Sequence, residues 1–179
     1  MKINTIKNFL KPYSIFENRK TTINHAFANG LARNGIYDER HVKQALKLLG
    51  QVPSRILCVY CRKKASTWDH LHALVLKGEY GGMGNVLGNL VPACKKCNSA
   101  KGNKDWRKFV KGLAIDDESK LKITDQFEQY VDHYKISPSN FSDCAIAGNL
   151  KNLDRIKKDI FRLMQEADEE ILKIKKTLE

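Results

Sequence analysis

The sequence predicts a mostly helical α+β protein, with short strands in a cysteine-rich centre and helices on both sides. Apolar residues recur at helical spacing near both ends of the chain. β-favouring residues and four of the five cysteines lie in the middle, the cysteines as two Cys-x-x-Cys pairs. With 179 residues the chain has room for one ordinary core and a small appendage.

Residues 1–52 form the first predicted segment, which is helical. Its first 20 residues show weak periodicity and are expected to be irregular or a short helix. A helix is predicted from Thr21 to Asn34–Gly35, where glycine favours a helix end. A second helix is predicted from a cap at Asp38 to Gly50, because apolar residues there recur three and four positions apart.

Residues 53–113 form the central segment. Two short strands are predicted around the first cysteine pair, at Arg55–Leu57 and Ala65–His70. Gly78–Gly88 contains five glycines in eleven residues and is predicted to be a flexible loop. A helix is predicted over Asn98–Leu113, and the glycine within it is expected to delay or bend it.

Residues 114–179 form the third segment, which is predicted to be helical. An acidic turn at Asp116–Glu118 precedes a first helix, and a long helix runs from Asn149 to the end. The apolar stripe of the long helix is close to a coiled-coil seam. It could pack on the N-terminal helices or form a homodimer with a second copy, and both remain open. The stripe consists of Leu153, Ile156, Ile160, Leu163, Ala167, Ile171, Ile174 and Leu178.

The net charge of +12 lies entirely in the first two thirds of the chain. Residues 1–57 carry 10 Lys or Arg against 3 Asp or Glu, residues 58–112 carry 11 against 3, and the remainder 11 against 14. A polyanion is the expected partner of such a basic surface. No apolar run is long enough for a membrane span and no signal peptide is recognisable, so a soluble, cytoplasmic protein is expected.

The two cysteine pairs predict a zinc site. Cys58 with Cys61, and Cys94 with Cys97, supply the four thiolates that complete a tetrahedral zinc ion. No position remains open for chemistry, so the zinc is expected to be structural, one ion per chain. Redox chemistry at one pair is the alternative, but the thioredoxin-like context that it needs is absent.

Residue types suited to hydrolysis lie between and beside these cysteines. Asp69 and His70 are adjacent, so on a strand their side chains point to opposite faces. Asn98 directly follows the last cysteine of the site. A carboxylate and an amide oxygen form half of an all-oxygen site that suits Mg²⁺ or Mn²⁺. Each of these residues alone would be interpreted as a turn, surface or cap residue.

Together, these residues resemble the HNH family of nucleases, whose fold is the ββα-metal finger. The resemblance covers residues 57–105, under a third of the chain. The matching pieces are Cys58-x-x-Cys61, Asp69-His70-Leu71, Gly88-Asn89-Leu90-Val91-Pro92 and Cys94-x-x-Cys97-Asn98-x-x-Lys101-Gly102.

The resemblance implies a role for each matching residue. His70 would be the general base that takes a proton from the attacking water. Asp69 and Asn98 would hold one catalytic divalent cation, and Asn89 would pin the loop that orients the strand of His70. Lys101 would contact phosphate. Further phosphate contacts are expected along the polar side of the following helix, from Lys104, Arg107 and Lys108.

The leading hypothesis is a metal-dependent endonuclease that cuts double-stranded DNA and leaves 5′-phosphate and 3′-hydroxyl ends. A type II restriction role is favoured because the flanking helices resemble those of HNH proteins associated with restriction systems. A nicking, homing or repair nuclease of low specificity is one alternative. A zinc-stabilised nucleic-acid-binding module without catalysis is another. RNA as substrate stays open, because basic charge does not distinguish the two polyanions.

Overall fold

A computed structural model describes residues 3–139 and 144–178 and has a mixed α/β fold. The chain divides into two compact units. One comprises residues 1–27 and 141–179, and the other comprises residues 28–140. Among the described residues, no helix combines the length and apolar composition needed to cross a bilayer.

The unit of residues 28–140 is built around a two-stranded antiparallel sheet. Strand β1 (Thr67–His70) pairs with β4 (Leu90–Ala93), so that His70 lies opposite Leu90. A second hairpin, formed by β2 (Val75–Leu76) and β3 (Glu79–Tyr80), lies in the connection between them. The sheet therefore brings the two cysteine pairs together, because each pair lies next to one of its strands.

Four helices of this unit surround the sheet. They are α2 (Glu39–Leu48), α3 (Lys95–Lys101), α4 (Trp106–Lys111) and α5 (Asp117–Tyr134). An aromatic cluster forms the centre of their core, with Trp106 and Phe127 rings 5.4 Å apart and Tyr60 and Phe109 rings 5.1 Å apart. Both pairs are edge-to-face, the arrangement that aromatic quadrupoles favour.

Two predicted elements differ from the structure. Arg55–Leu57 is not a strand and makes only isolated bridges, because β1 pairs with the distant β4 instead. The single helix predicted over residues 98–113 is two helices, α3 and α4. Gly102 separates them with a φ of 52° and a ψ of −126°, a combination that only glycine adopts readily. The predicted cap at Asp38 is confirmed, since its carboxylate accepts from the backbone N–H groups of Arg40 and His41.

The other unit contains a short 3₁₀-helix (Ile3–Asn8), most of α1 (Ile15–Leu31) and α6 (Cys144–Leu178). The helix predicted from Thr21 thus begins earlier, at Ile15. Asp168 of α6 explains this start, because its carboxylate accepts from the backbone N–H groups of Ile15 and Phe16 and from the Ser14 hydroxyl. These contacts satisfy donors that a helix start leaves without partners.

Candidate active site and metal centre

The four predicted zinc cysteines form one cluster. The Sγ atoms of Cys58, Cys61, Cys94 and Cys97 all lie within 4.8 Å of one another. The Cys61 and Cys94 sulfurs are 3.7 Å apart, and zinc–sulfur bonds of about 2.3 Å place tetrahedral ligands about 3.8 Å apart. The cysteines are therefore placed to bind a metal ion, consistent with structural zinc.

The protonation of these thiols is strongly perturbed. The backbone N–H of Cys97 lowers the pKa of Cys94 to about 7. Burial raises the pKa of Cys58 and of Cys97. Four adjacent thiolates would repel one another, so full ionisation of the cluster needs the charge of a bound cation.

His70 is the last residue of β1, and its ring is held by an asparagine from the glycine-rich loop. The His70 Nε2 atom lies 2.8 Å from Asn85 Oδ1. The amide nitrogen of Asn85 in turn donates to Asn34 Oδ1 over 2.8 Å. The Asn85 backbone is also fixed, since its N–H donates to Arg33 and its carbonyl accepts from Gly35.

These contacts favour one tautomer of the His70 ring. Because the Asn85 amide nitrogen donates to Asn34, the oxygen is the end of the carboxamide that faces His70. An amide oxygen only accepts hydrogen bonds, so this orientation of Asn85 favours a hydrogen on Nε2. In a neutral imidazole the lone pair then lies on Nδ1.

The Asn89 side chain joins two backbone segments, one at His72 and one at Gly84 in the glycine-rich loop. It is fully buried, and its amide nitrogen donates to the carbonyls of His72 (3.1 Å) and Gly84 (3.0 Å). Its amide oxygen accepts from the His72 N–H over 2.8 Å. The Asn89 carbonyl accepts from the N–H of Leu71, the residue that follows His70. Asn89 thus contacts the chain just after His70 as well as the loop that carries Asn85.

Asp69 points into the protein, on the opposite face of β1 from His70. It is buried, and its Oδ2 atom accepts from the Tyr60 hydroxyl over 2.7 Å. Its Oδ1 atom lies 3.6 Å from the ammonium of Lys101. Burial raises the pKa of Asp69, and the Lys101 charge and the Tyr60 hydrogen bond counteract that rise.

Lys101, for which a phosphate contact is predicted, is buried in the structure. Lys101 is only 1% exposed. Its ammonium pairs with Asp69 and donates to the carbonyl of His70. Burial lowers the pKa of Lys101, while Asp69 opposes that shift. Lys101 therefore holds the strand of His70 from inside the protein and does not reach a substrate in this arrangement.

Asn98 lies against β1 and contacts Thr67 and Trp68, not Asp69. Its amide nitrogen is 3.3 Å from the Trp68 carbonyl and 3.4 Å from Thr67 Oγ1. Asp69 and Asn98 supply the oxygen donors that Mg²⁺ prefers. As arranged, however, they do not form an open site, because Asp69 is closed to solvent and its charge is balanced by Lys101. A cation shared by these two residues stays a prediction.

The other predicted phosphate contacts lie at the surface. Lys104 is exposed and donates to the Ala100 carbonyl, and Lys108 is also exposed. Arg107 stacks over the Trp106 ring, 4.1 Å from its centroid, and is paired with Glu128. Surface exposure is compatible with phosphate contacts, which stay a prediction for these three residues.

Sequence reasoning missed three residues of the site: Tyr60, Asn34 and Asn85. Tyr60 lies between the cysteines of the first Cys-x-x-Cys pair, and the sequence alone assigns it no role. Asn85 lies in a segment expected to be flexible, and Asn34 only as part of a helix end. No local pattern marks these asparagines, because their meaning depends on a contact between segments 51 residues apart.

Comparison with known proteins identifies the central part of the chain. Residues 58–104 match the family model described as HNH endonuclease. The match includes all four cysteines, His70, Asn89 and Asn98, and it spans roughly a quarter of the chain. No curated protein and no solved structure matches.

Proposed function

We propose that this chain, which carries an HNH domain at residues 58–104, is an endonuclease that hydrolyses phosphodiester bonds of double-stranded DNA. One observation carries the proposal: His70 lies within the family match, and its ring is hydrogen-bonded to Asn85. The HNH domain supports nuclease activity in general. The finer proposal is a type II restriction enzyme.

In the proposed reaction, His70 is the general base. With Nε2 donating to Asn85, the Nδ1 atom accepts a proton from water, and the water oxygen attacks the phosphorus. The bond from phosphorus to the 3′ oxygen breaks, and the leaving oxygen takes a proton from solvent. The products carry 5′-phosphate and 3′-hydroxyl ends. Positioned bases of this kind typically contribute about 10²- to 10⁴-fold to a rate.

The chain holds this base from three sides. Asn85 contacts the ring, Lys101 donates to the His70 carbonyl, and Asn89 accepts from the next N–H along the chain. A metal ion on the four cysteines would join the two ends of residues 58–97, which include His70, Asn85 and Asn89. Zinc in that position would be structural, because four sulfurs fill its coordination sphere.

A divalent cation, Mg²⁺ or Mn²⁺, is proposed as a requirement because the family resemblance implies one. Asp69 and Asn98 would be its ligands. Asp69 is paired with Lys101 in the structure, so its carboxylate would first have to leave Lys101. For this reason the activity test varies the cation and replaces His70 in separate reactions.

DNA as the partner is supported by charge. The chain carries a net charge of +12, and Lys104 and Lys108 project from the unit that contains His70. Binding should weaken as salt rises, because each neutralised phosphate releases counterions.

We also propose that α6 forms a homodimer, so that each copy cuts one strand. Ile156, Leu163 and Ile174 lie on the apolar stripe of this 35-residue helix and are exposed in the single chain. Light scattering during size-exclusion chromatography measures the mass directly. Leu163→Glu should convert a dimer to a monomer, and a wild-type monomer would overturn this part of the proposal.

The test of activity is digestion of a plasmid and a long linear DNA by the zinc-loaded protein. Parallel reactions contain Mg²⁺, Mn²⁺ or no added divalent cation, and His70→Ala is the matched variant. Discrete fragments that disappear with His70→Ala support a restriction enzyme. Nicked circles or a smear with the same dependence indicate a nuclease of low specificity.

Two results would change the proposal. Cleavage that persists without added Mg²⁺ or Mn²⁺ would remove the cation requirement and leave His70 as the base. Salt-sensitive DNA binding by folded protein, with no cleavage of either DNA, would favour the non-catalytic binding module.

A further inference from the structure

A groove beside His70 is lined mainly by apolar and aromatic side chains. Its volume is about 270 Å³. It lies between the loop before α2 and the outer face of the β1–β4 sheet, within the unit of residues 28–140. The lining residues are Gly35, Ile36, Tyr37, Val42, Trp68, Asn85, Leu87 and Leu90.

The groove is continuous with the proposed active site. Trp68 and His70 are two residues apart on β1, so both side chains point to the same face, about 6.6 Å apart along the strand. Asn85 lines the groove and also bonds to the His70 ring. Leu90 lines the groove and pairs with His70 in the sheet. A substrate whose phosphate reaches His70 therefore passes the mouth of the groove.

The aromatic and aliphatic residues of the groove are unusually exposed. Trp68 is 44% exposed, Tyr37 78% and Ile36 96%. Exposed apolar surface that is concentrated in one place indicates a binding site more often than scattered exposed residues do. The basic character of the surrounding segments selects a polyanion as the occupant, and the π-faces of its bases suit Trp68 and Tyr37.

We propose that this groove binds a nucleobase of the substrate strand next to the scissile phosphate, stacked on Trp68. The inference rests on the proposed nuclease function and deepens it. A base inside a regular duplex cannot reach a side chain in this way. The substrate must therefore expose a base, either because the enzyme turns it out of the stack or because it is already unpaired.

Tryptophan fluorescence tests this inference, because the chain has only two tryptophans. Trp68 is half-exposed, whereas Trp106 is completely buried and provides a constant background. The protein used is zinc-loaded His70→Ala, which keeps the DNA intact. It is titrated with three duplexes of equal length: one fully paired, one with a single unpaired nucleotide, and one with an abasic site at that position.

The expected result is strong quenching by the duplex with the unpaired base and weak quenching by the abasic duplex, which has the same charge. Trp68→Leu should abolish the difference and weaken binding of the unpaired-base duplex by about 5- to 100-fold, the usual loss when one stacking platform is removed. Tyr13→Leu, which alters an exposed aromatic residue outside the groove, should leave both unchanged.

Equal quenching by the unpaired-base and abasic duplexes would overturn the inference. So would a change in Trp68 emission with protein concentration alone, because the occupant would then be a second copy of the chain. Cleavage activity is measured separately with the His70 protein. Cleavage without base-dependent quenching would refute nucleobase binding in the groove but not the nuclease activity. Base-dependent quenching without cleavage would refute the nuclease activity but not nucleobase binding.

Discussion

Lys101 is a charged residue whose role is set by burial. Its side chain has no exposed surface and pairs with Asp69, which is also buried. Lys101→Met would leave the Asp69 carboxylate without its counter-charge, and removing one partner of a buried pair costs about 3–5 kcal/mol. We expect the free energy of unfolding, measured by urea denaturation, to fall by that amount.

Two further variants separate the ion pair from other effects. Lys104→Met removes an exposed lysine nearby and should change stability by less than about 0.5 kcal/mol. The double variant Lys101→Met with Asp69→Asn removes both charges and should regain part of the loss. If Lys101→Met unfolds at the same urea concentration as the wild type, the pair does not contribute to stability.

Asn85 is expected to affect the reaction rate more than substrate binding. Asn85→Ala removes the acceptor that holds His70 Nε2, so the ring is no longer fixed in orientation or tautomer. A base displaced by about 1 Å loses on the order of 100-fold in rate. We expect a loss of that size in single-turnover cleavage and a smaller change in DNA affinity, because Asn85 also lines the groove.

A spectroscopic measurement distinguishes this role from a general structural defect. Nitrogen-15 NMR of the His70 ring should show hydrogen on Nε2 in the wild type and a mixture of tautomers in Asn85→Ala. Asn103→Ala, at an exposed asparagine, is the control. An unchanged tautomer together with a reduced rate would contradict the proposed contact.

The candidate site residues could be predicted from their types and spacing, but their surroundings could not. Four cysteines with this spacing predict one metal site, and the structure brings their sulfurs together. The burial of Lys101 was not predictable, because a lysine on a short helix usually faces solvent. Its burial depends on Asp69, 32 positions earlier in the chain, and on the Tyr60 hydroxyl.

At the scale of elements, the glycine-rich loop determines the position of Asn85. A Cβ atom on Gly84 would clash with the carbonyl oxygen of Arg33, which accepts the hydrogen bond from the Asn85 backbone. Gly84→Ala should therefore displace Asn85, lower stability by about 1–3 kcal/mol and reduce the single-turnover cleavage rate.

Gly30→Ala provides the matched control for that change. Gly30 lies in α1, where an added Cβ meets no atom within 4 Å. Alanine there should stabilise the protein by about 0.5–1 kcal/mol, because it restricts the unfolded chain and favours helix. Thermal unfolding and cleavage of the two variants are compared side by side. If Gly84→Ala and Gly30→Ala have the same thermal midpoint and cleavage rate, the contact between Gly84 and Arg33 does not control the position of Asn85.

The sequence indicates where helices lie better than it indicates which strands pair. Asp38 and the spacing of apolar residues predict α2 correctly. The strand predicted at Ala65–His70 lies close to β1, but the strand predicted at Arg55–Leu57 makes only isolated bridges. The partner of β1 is β4, which lies twenty residues further along the chain. Strand pairing depends on contacts between distant segments, which a local pattern does not contain.

At the scale of the molecule, the core of the unit of residues 28–140 combines distant segments. The unit spans residues 28–140, so it includes α2 and α5, which belong to the first and third segments of the sequence-based division. Ala45 of α2, Leu49 at the C-cap of that helix and Phe127 of α5 share one buried cluster with Cys58. Periodicity identifies the apolar face of a helix, but not the element that covers it.

The inclusion of Cys58 in that cluster predicts that removing zinc unfolds the whole unit. Structural zinc contributes about 10–16 kcal/mol of apparent binding free energy, as much as the net stability of a typical domain, about 5–15 kcal/mol. Excess zinc chelator should abolish the cooperative thermal transition and shift the emission of buried Trp106 to longer wavelength. Added Zn²⁺ should restore both signals, and Mg²⁺ should not. If the chelated protein keeps its thermal midpoint and emission, the aromatic core is sufficient without the metal.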